Sequence, residues 1–221
     1  MIRVLLVCGS LQRASANRAA LDIARAALAA GGAEPSAFEG LASIPPLNPD
    51  HGDDPGDAVQ SFRAQLGAAD AVLIAAPEYA GAIAGVVKNA LDWIVGSGEF
   101  YGKPVALVSA GTSGGVFARR DLVRTLCWQG AHVVASLGIM GPGTKSVTDA
   151  DGSRRFTDAA TIQEIEAVAS SLLAAVRRRP SERLAAVTRL ALDAGVDPAS
   201  LTAHIAAQDE AFDEAHRAAG R

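Results

Sequence analysis

The sequence has only two cysteines, Cys8 and Cys127, in 221 residues. That is too few for a disulfide framework and excludes a four-cysteine metal cluster. Both sit among apolar neighbours and read as buried thiols of a reducing compartment. No apolar run approaches the roughly 18 residues of a bilayer span. The opening stretch of Ile, Val and Leu is too short for a signal-peptide core with its cleavage site, and it leads straight into a loop. It reads as a first strand, and the expected location is the cytoplasm, with no membrane partner. Positive charge is not in excess: Lys and Arg total 20 against 24 Asp and Glu, a formal net charge of -4. This argues against a partner bound through a basic surface, nucleic acid above all. The acidity is also milder than a small electron carrier that docks by charge would need. Two phosphate-loop signatures are missing. Gly9 stands alone where G-x-G-x-x-G would be, and no G-K-[S/T] occurs. Cys8 and Arg13 stand one residue too close for a tyrosine-phosphatase loop.

What is present is a large apolar fraction, 49%, with 20% charged residues. Such a chain folds, and its length suits one domain with its own core. Short runs rich in Val, Ile and Leu at residues 2–8, 71–76, 105–110 and 132–139 predict buried parallel strands. A weaker candidate lies at 33–38. Helical segments fall between them at 17–30, 84–95 and 116–129, each followed by glycine suited to a helix end. This alternation predicts an α/β fold, a doubly wound five-stranded parallel sheet. Residues 41–57, with Pro45, Pro46, Pro49 and Pro55, read as loop, as do 141–155. Ile162, Ile165, Ala169, Leu172 and Val176 place a closing helix against the sheet. Beyond Pro180 the chain predicts a helix capped by Ser181 and ending near Gly195. A second helix starts at Asp197-Pro198 and runs to about Ala218.

Three polar turns follow three of the strands. The first is Gly9-Ser10-Leu11-Gln12-Arg13-Ala14-Ser15-Ala16-Asn17-Arg18, between a buried strand and a helix start. Open backbone N–H groups and the helix dipole favour a phosphate there. Ser10, Ser15 and Asn17 add neutral donors, and Arg13 or Arg18 can add charge. The second is Pro77-Glu78-Tyr79-Ala80-Gly81, with a rigid proline, a flat aromatic and a glycine that permits close approach. The third is Gly111-Thr112-Ser113-Gly114-Gly115. In a sheet of this kind ligands bind in the crevice outside the carboxyl ends of the strands, where these turns converge.

Together these residues resemble the NADPH-dependent FMN reductases, a flavodoxin-like family that includes quinone, chromate and azo-dye reductases. The matching residues are Gly9-Ser10-Leu11, Ser15 and Asn17, then Pro77-Glu78-Tyr79 with Gly81. Lys88-Asn89-Ala90-Leu91-Asp92-Trp93, Gly102-Lys103-Pro104 and Ser113-Gly114-Gly115 follow in order. The resemblance covers residues 1–176. It implies FMN as cofactor, with its phosphate at Ser10, Gln12, Arg13, Ser15, Ala16 and Asn17. It places the ring along Pro77, Glu78, Tyr79, Ala80 and Gly81, and the ring's other edge at Gly111, Thr112, Ser113 and Gly114. It further implies hydride from NADPH or NADH, a quinone, flavin or similar small-molecule acceptor, no catalytic side-chain acid or base, and a homodimer or homotetramer. The division it suggests is a flavodoxin-like FMN-binding domain over 1–179 and a helical extension over 180–221. Two other readings stay open: a non-enzymatic FMN-binding electron carrier, and a flavin-free interaction module that uses the tail.

The chain departs from the family pattern at Gln12, where arginine is usual, and at Ala80 and Ala82, where Asn and Ser are usual. Other features have plain explanations. His51 among Asp50, Asp53, Asp54 and Asp57 reads as a solvated acidic loop rather than a metal site. His51, His132, His204 and His216 are dispersed, and no metal is expected. Asp149 to Gly152 lacks the remaining acids of a calcium loop and predicts a hairpin-like turn. Arg177, Arg178 and Arg179 complement a helix C-terminus. Residues 208–217 read as a solvated helix face.

Overall fold

The structure, a computed structural model, describes residues 1–51, 54–203 and 205–219. Gly52, Asp53, His204 and the last two residues lie outside them, so the expectations that touch Asp53 and His204 fall outside the described residues. The first half runs β1 (Ile2–Cys8), α1 (Ala16–Ala30), β2 (Ala33–Phe38), short 3-10 turns at Leu41–Ser43 and Pro49–His51, and α2 (Asp57–Ala68). There follow β3 (Ala71–Ala75), β4 (Glu78–Tyr79), β5 (Ala82–Ile83), α3 (Gly85–Asp92), β6 (Pro104–Gly111), α4 (Val116–Trp128) and β7 (His132–Met140). The chain closes with α5 (Pro142–Lys145), β8 (Ser146–Thr148), β9 (Arg154–Phe156), α6 (Ala159–Val176), α7 (Pro180–Asp193), α8 (Ala199–Thr202) and α9 (Ile205–Ala219).

The five long strands form one parallel sheet in the order β2-β1-β3-β6-β7. Strands buried on both faces need apolar residues at every position, not at alternate ones. Val4 to Val7, Ala71 to Ala75 and Val105 to Val108 meet that demand and are all buried. The helices that cover the sheet carry their apolar residues on one face. In α1, Ala20, Ala24 and Leu28 recur every fourth residue and are fully buried. In α6, Ile165, Ala169 and Leu172 do the same work against the sheet. Among the described residues α6 is the one helix with the length and hydropathy to cross a bilayer, and its apolar face is core.

Several local expectations need correction. α2 was not foreseen. Its Val59, Phe62 and Leu66 form a buried stripe, with the Phe62 ring 4.7 Å from that of Phe38. α3 ends at Asp92, and residues 93–97 continue as turns. Ser181 does not cap α7: Arg179 is the cap residue, Pro180 opens the helix, and Glu182 reaches back to the Arg179 N–H at 2.8 Å. Asp197-Pro198 starts only the single turn of α8, and α9 is a separate helix. The loop over 141–155 contains α5 and the β8–β9 hairpin, whose tip is the turn expected at Asp149 to Gly152.

The tail is docked rather than solvated. α7 packs on β7, and α9 packs on α7. Val187, Ala191 and Leu201 are buried in the same apolar cluster as the sheet. Arg179 pairs with Asp213 at 2.8 Å, and the Ser181 N–H donates to Asp209, so acidic residues of α9 face partners. Gln208 is buried beside His132. Arg183 is buried at the amino ends of the strands. It donates Nη2 and Nε to the Arg178 carbonyl at 3.0 and 3.3 Å, and Nη1 to the Gly102 carbonyl at 3.2 Å. Lys103 donates to the Leu66 and Ala69 carbonyls, and Arg177 to that of Gly31. The C-terminal ends of α1, α2 and α6 are thus each closed by a cation, as the helix dipole favours.

Candidate functional site

At the carboxyl ends of β1, β3 and β6 the three polar turns lie side by side, because these strands are neighbours in the sheet. The first turn leaves β1 pressed against its neighbour. Gly9 N–H donates to the Ala75 carbonyl at 2.7 Å, and a Cβ on Gly9 would sit 2.4 Å from Val87 Cγ2. Only glycine fits there. Ser15 caps α1, its hydroxyl accepting from the Arg18 N–H at 3.3 Å. The other N–H groups of the first turn have no acceptor within the helix. Ser10, also buried, accepts from the Gln12 N–H at 3.4 Å. The hydroxyl protons of Ser10 and Ser15 remain available for donation, and Ala16 sits at the first helical position.

Three polar side chains of this turn, Arg13, Asn17 and Arg18, are committed elsewhere. Asn17 Nδ2 donates to the Ala110 carbonyl at 3.2 Å, and Asn17 Oδ1 accepts from the Ala110 N–H at 2.9 Å. The donor expected of Asn17 is therefore used in tying the start of α1 to the end of β6. Arg18 forks onto Glu39 at 3.2 and 3.3 Å. Arg13 donates to the Asp151 carbonyl at 2.9 Å, at the tip of the β8–β9 hairpin. Gln12 is exposed. The hairpin contact is invisible in the sequence, since its partners are 138 residues apart.

The second turn is a two-residue hairpin between β4 and β5. Ala80 at φ 51° and Gly81 at φ 71° both take left-handed backbone, the signature of a type I′ turn. Asn-Gly is the favoured pair for such a turn, so Ala80 is strained where asparagine would be at ease. Pro77 is buried, and Tyr79 is 58% exposed with its ring uncovered beside the crevice. The Glu78 carboxylate turns toward the third loop. Its Oε2 accepts from the Phe117 and Ala118 N–H groups at 2.7 and 3.1 Å, and its Oε1 from the Ser113 hydroxyl at 3.0 Å. Against the upward push of desolvation, these donors and the nearby Arg119 guanidinium hold the Glu78 carboxyl below the usual carboxylate range.

The third turn closes through the Gly114 N–H and the Gly111 carbonyl at 3.2 Å, leaving Thr112 and Ser113 exposed. Gly115, at φ 62°, admits no side chain: a Cβ would fall 1.9 Å from Ser109 Oγ. That hydroxyl is fully buried and donates to the Ala76 carbonyl at 2.6 Å, joining β6 to the start of the second loop. Arg119 holds the loop from behind, donating Nε to the Gly114 carbonyl and Nη1 to Ser136 Oγ, both at 3.0 Å. A cation in the first turn of a helix opposes the dipole. That oddity was the signal available in the sequence, which gave Arg119 no role. Behind it α7 and α4 border a cavity of about 220 Å³ lined by Val116, Arg119, Ser136 and Leu190.

The geometry fits a flavin mononucleotide. An open helix N-terminus with two hydroxyls suits a phosphate, and the two further turns, with the uncovered ring of Tyr79 on one of them, suit a planar heterocycle. No group of three or more His, Cys, Asp or Glu that could hold a metal is found among the described residues. Burial pushes the Cys8 thiol up and the Cys127 thiol to about 11, so both are poor nucleophiles.

Comparison with known proteins finds flavin-dependent relatives. The family model described as NADPH-dependent FMN reductase matches residues 2–144. An NAD(P)H-dependent FMN reductase of Pseudomonas aeruginosa is 39% identical over 158 residues, covering 68% of this chain and 83% of that protein. A 2-hydroxy-1,4-benzoquinone reductase of a Burkholderia species is 35% identical over 135 residues, covering 57% of this chain and 70% of its own. Among solved structures, the flavoenzyme NAD(P)H:(acceptor) oxidoreductase of Paracoccus denitrificans superposes with a TM-score of 0.68 at 26% identity, covering 80% of this chain and 98% of that one.

Proposed function

This chain belongs to the NADPH-dependent FMN reductase family, and on that premise we propose that its three-loop crevice holds FMN and serves reduction of a small quinone by NADPH or NADH. The convergence of an open α1 N-terminus with the two further loops at one sheet edge carries the proposal. The chemistry supplied by FMN when bound is acceptance of hydride from a nicotinamide and onward reduction of an acceptor. The chain contributes binding and orientation. Ser10, Ser15, Ala16 and the backbone through Asn17 hold the phosphate, with Gln12 and Arg13 at its rim. Pro77, Tyr79, Ala80 and Gly81 lie along the ring, and Gly111, Thr112, Ser113 and Gly114 along its other edge. No side-chain acid or base is required. The Burkholderia relative is a 2-hydroxy-1,4-benzoquinone reductase, which favours a quinone as acceptor here.

Phe117 and Trp128 stand on one side of α4, 55% and 84% exposed, with Val95 also exposed. Such uncovered apolar side chains suit contact between copies of the chain, a homodimer or homotetramer. The buried Val187, Ala191 and Leu201 support reading 180–221 as an extension of the 1–179 unit rather than a separate domain. A cytoplasmic enzyme is in keeping with the two buried free thiols.

The test is an absorption spectrum of the purified protein after addition of FMN and dialysis. Bleaching by NADPH and recovery with benzoquinone are expected. A retained flavin that NADPH leaves oxidised would point to an electron carrier, and no retained flavin would sink the proposal.

A further inference from the structure

We infer that Glu78 is a positioning residue that locks the two ring-side loops into one unit, so that flavin affinity depends on a carboxylate already spent inside the protein. The inference rests on the flavin site proposed above. The N-cap residue of α4 is Gly115, which has no side chain to cap the first turn and has no room for one. Ordinarily a Ser, Thr, Asp or Asn at that position satisfies an orphan N–H. Here the cap comes from another loop: Glu78 Oε2 takes the N–H groups of Phe117 and Ala118, while Oε1 takes the Ser113 hydroxyl. Glu78 opens β4, the strand that carries Tyr79 and leads into the Ala80-Gly81 turn. The same carboxylate therefore fixes the hairpin, the Ser113 turn and α4 relative to one another.

There is a second consequence for charge. α1 and α4 are among the helices that start at the carboxyl end of the sheet, after β1 and β6. The N-terminus of α4 is filled by Glu78, and that of α1 is capped only by the neutral Ser15. The α4 N-terminus is thereby closed to an anion, while that of α1 stays open to one.

The experiment titrates wild type, Glu78→Gln, Glu78→Ala and Ser113→Ala with both FMN and riboflavin, following flavin fluorescence. A neutral amide cannot accept from all the donors that the carboxylate satisfies, and charge-assisted bonds are the stronger kind. Glu78→Ala is expected to weaken FMN by about tenfold or more, and Glu78→Gln and Ser113→Ala by smaller factors. Riboflavin should weaken by the same factor as FMN, because the phosphate site at α1 is untouched. A variant that is merely less stable loses binding sites in the titration without changing their affinity. Unchanged affinities in Glu78→Gln and Glu78→Ala beside tight binding by wild type would overturn the inference alone. So would a loss confined to FMN. A wild type that binds neither flavin would overturn the proposed site and this inference with it.

Discussion

Asn17 and Ala110 exchange a pair of hydrogen bonds across 93 residues of sequence, the Asn17 amide acting as a short stand-in for a neighbouring strand at the end of β6. Asn17 is buried, and so is Ala110. Replacing Asn17 with alanine leaves both backbone polar groups of one buried residue unpaired. The expected cost is roughly 2–4 kcal/mol of folding stability, read from the urea unfolding midpoint. Asn17→Asp keeps the acceptor for the Ala110 N–H but sets a carboxylate against the Ala110 carbonyl, and should be no better than alanine. A loss below experimental error for Asn17→Ala would show that the pair is not a structural tie.

Ala80 offers the opposite case, a site that can be improved. Its left-handed φ of 51° brings its Cβ toward the following carbonyl. Asparagine tolerates that conformation and completes the favoured turn pair with Gly81. Ala80→Asn should stabilise the protein by about 0.5–1 kcal/mol, seen as a rise in melting temperature, and Ala80→Val should lower it. A fall for Ala80→Asn would mean that a contact of the alanine methyl outweighs its backbone strain.

His132 ties stability to pH. Burial first, then the Arg183 charge beside it, push its pKa down to about 4, with Gln208 and Asp209 opposing. In the unfolded chain an ordinary histidine titrates near 6.5. Between those values the unfolded state binds the proton and the folded state does not. The contribution is therefore complete above about pH 6.5 and is lost as pH falls toward 4. Its size is at most about 3 kcal/mol at one end of the window relative to the other. Carboxylates held low, such as Glu78 and Glu99, change stability in the same direction. The histidine share is the difference between wild type and His132→Gln in urea unfolding at pH 7 and pH 5. Equal slopes in the two proteins would remove His132 as the cause.

The sheet was legible in the sequence because burial on both faces forces continuous apolar runs, and Val4 to Val7 or Val105 to Val108 cannot be mistaken for much else. The glycine ends of α1 and α4 were legible for a similar local reason. α2 was not, since only Val59, Phe62 and Leu66 mark its apolar face and a proline-rich loop precedes it. The three turns of the site could be placed from their residues, but not the partners that shape them. Glu78 meets Phe117 across 39 residues and Arg13 meets Asp151 across 138. Such pairings are products of the finished topology, and a local pattern holds no trace of them. The acidic stretch of α9 misled for the same reason: Asp209 and Asp213 face Ser181 and Arg179, which lie on another helix or at its start.

The edge of the sheet opposite the crevice has a different character. Lys103 and Arg183 are held there by peptide carbonyls of Leu66, Ala69, Arg178 and Gly102 rather than by carboxylates. Mobile ions weaken attraction between separated surface charges far more than a buried cation touching a neutral oxygen. The Lys103 and Arg183 contacts at that end should consequently persist in concentrated salt that would loosen the exposed Arg179–Asp213 pair between the start of α7 and α9.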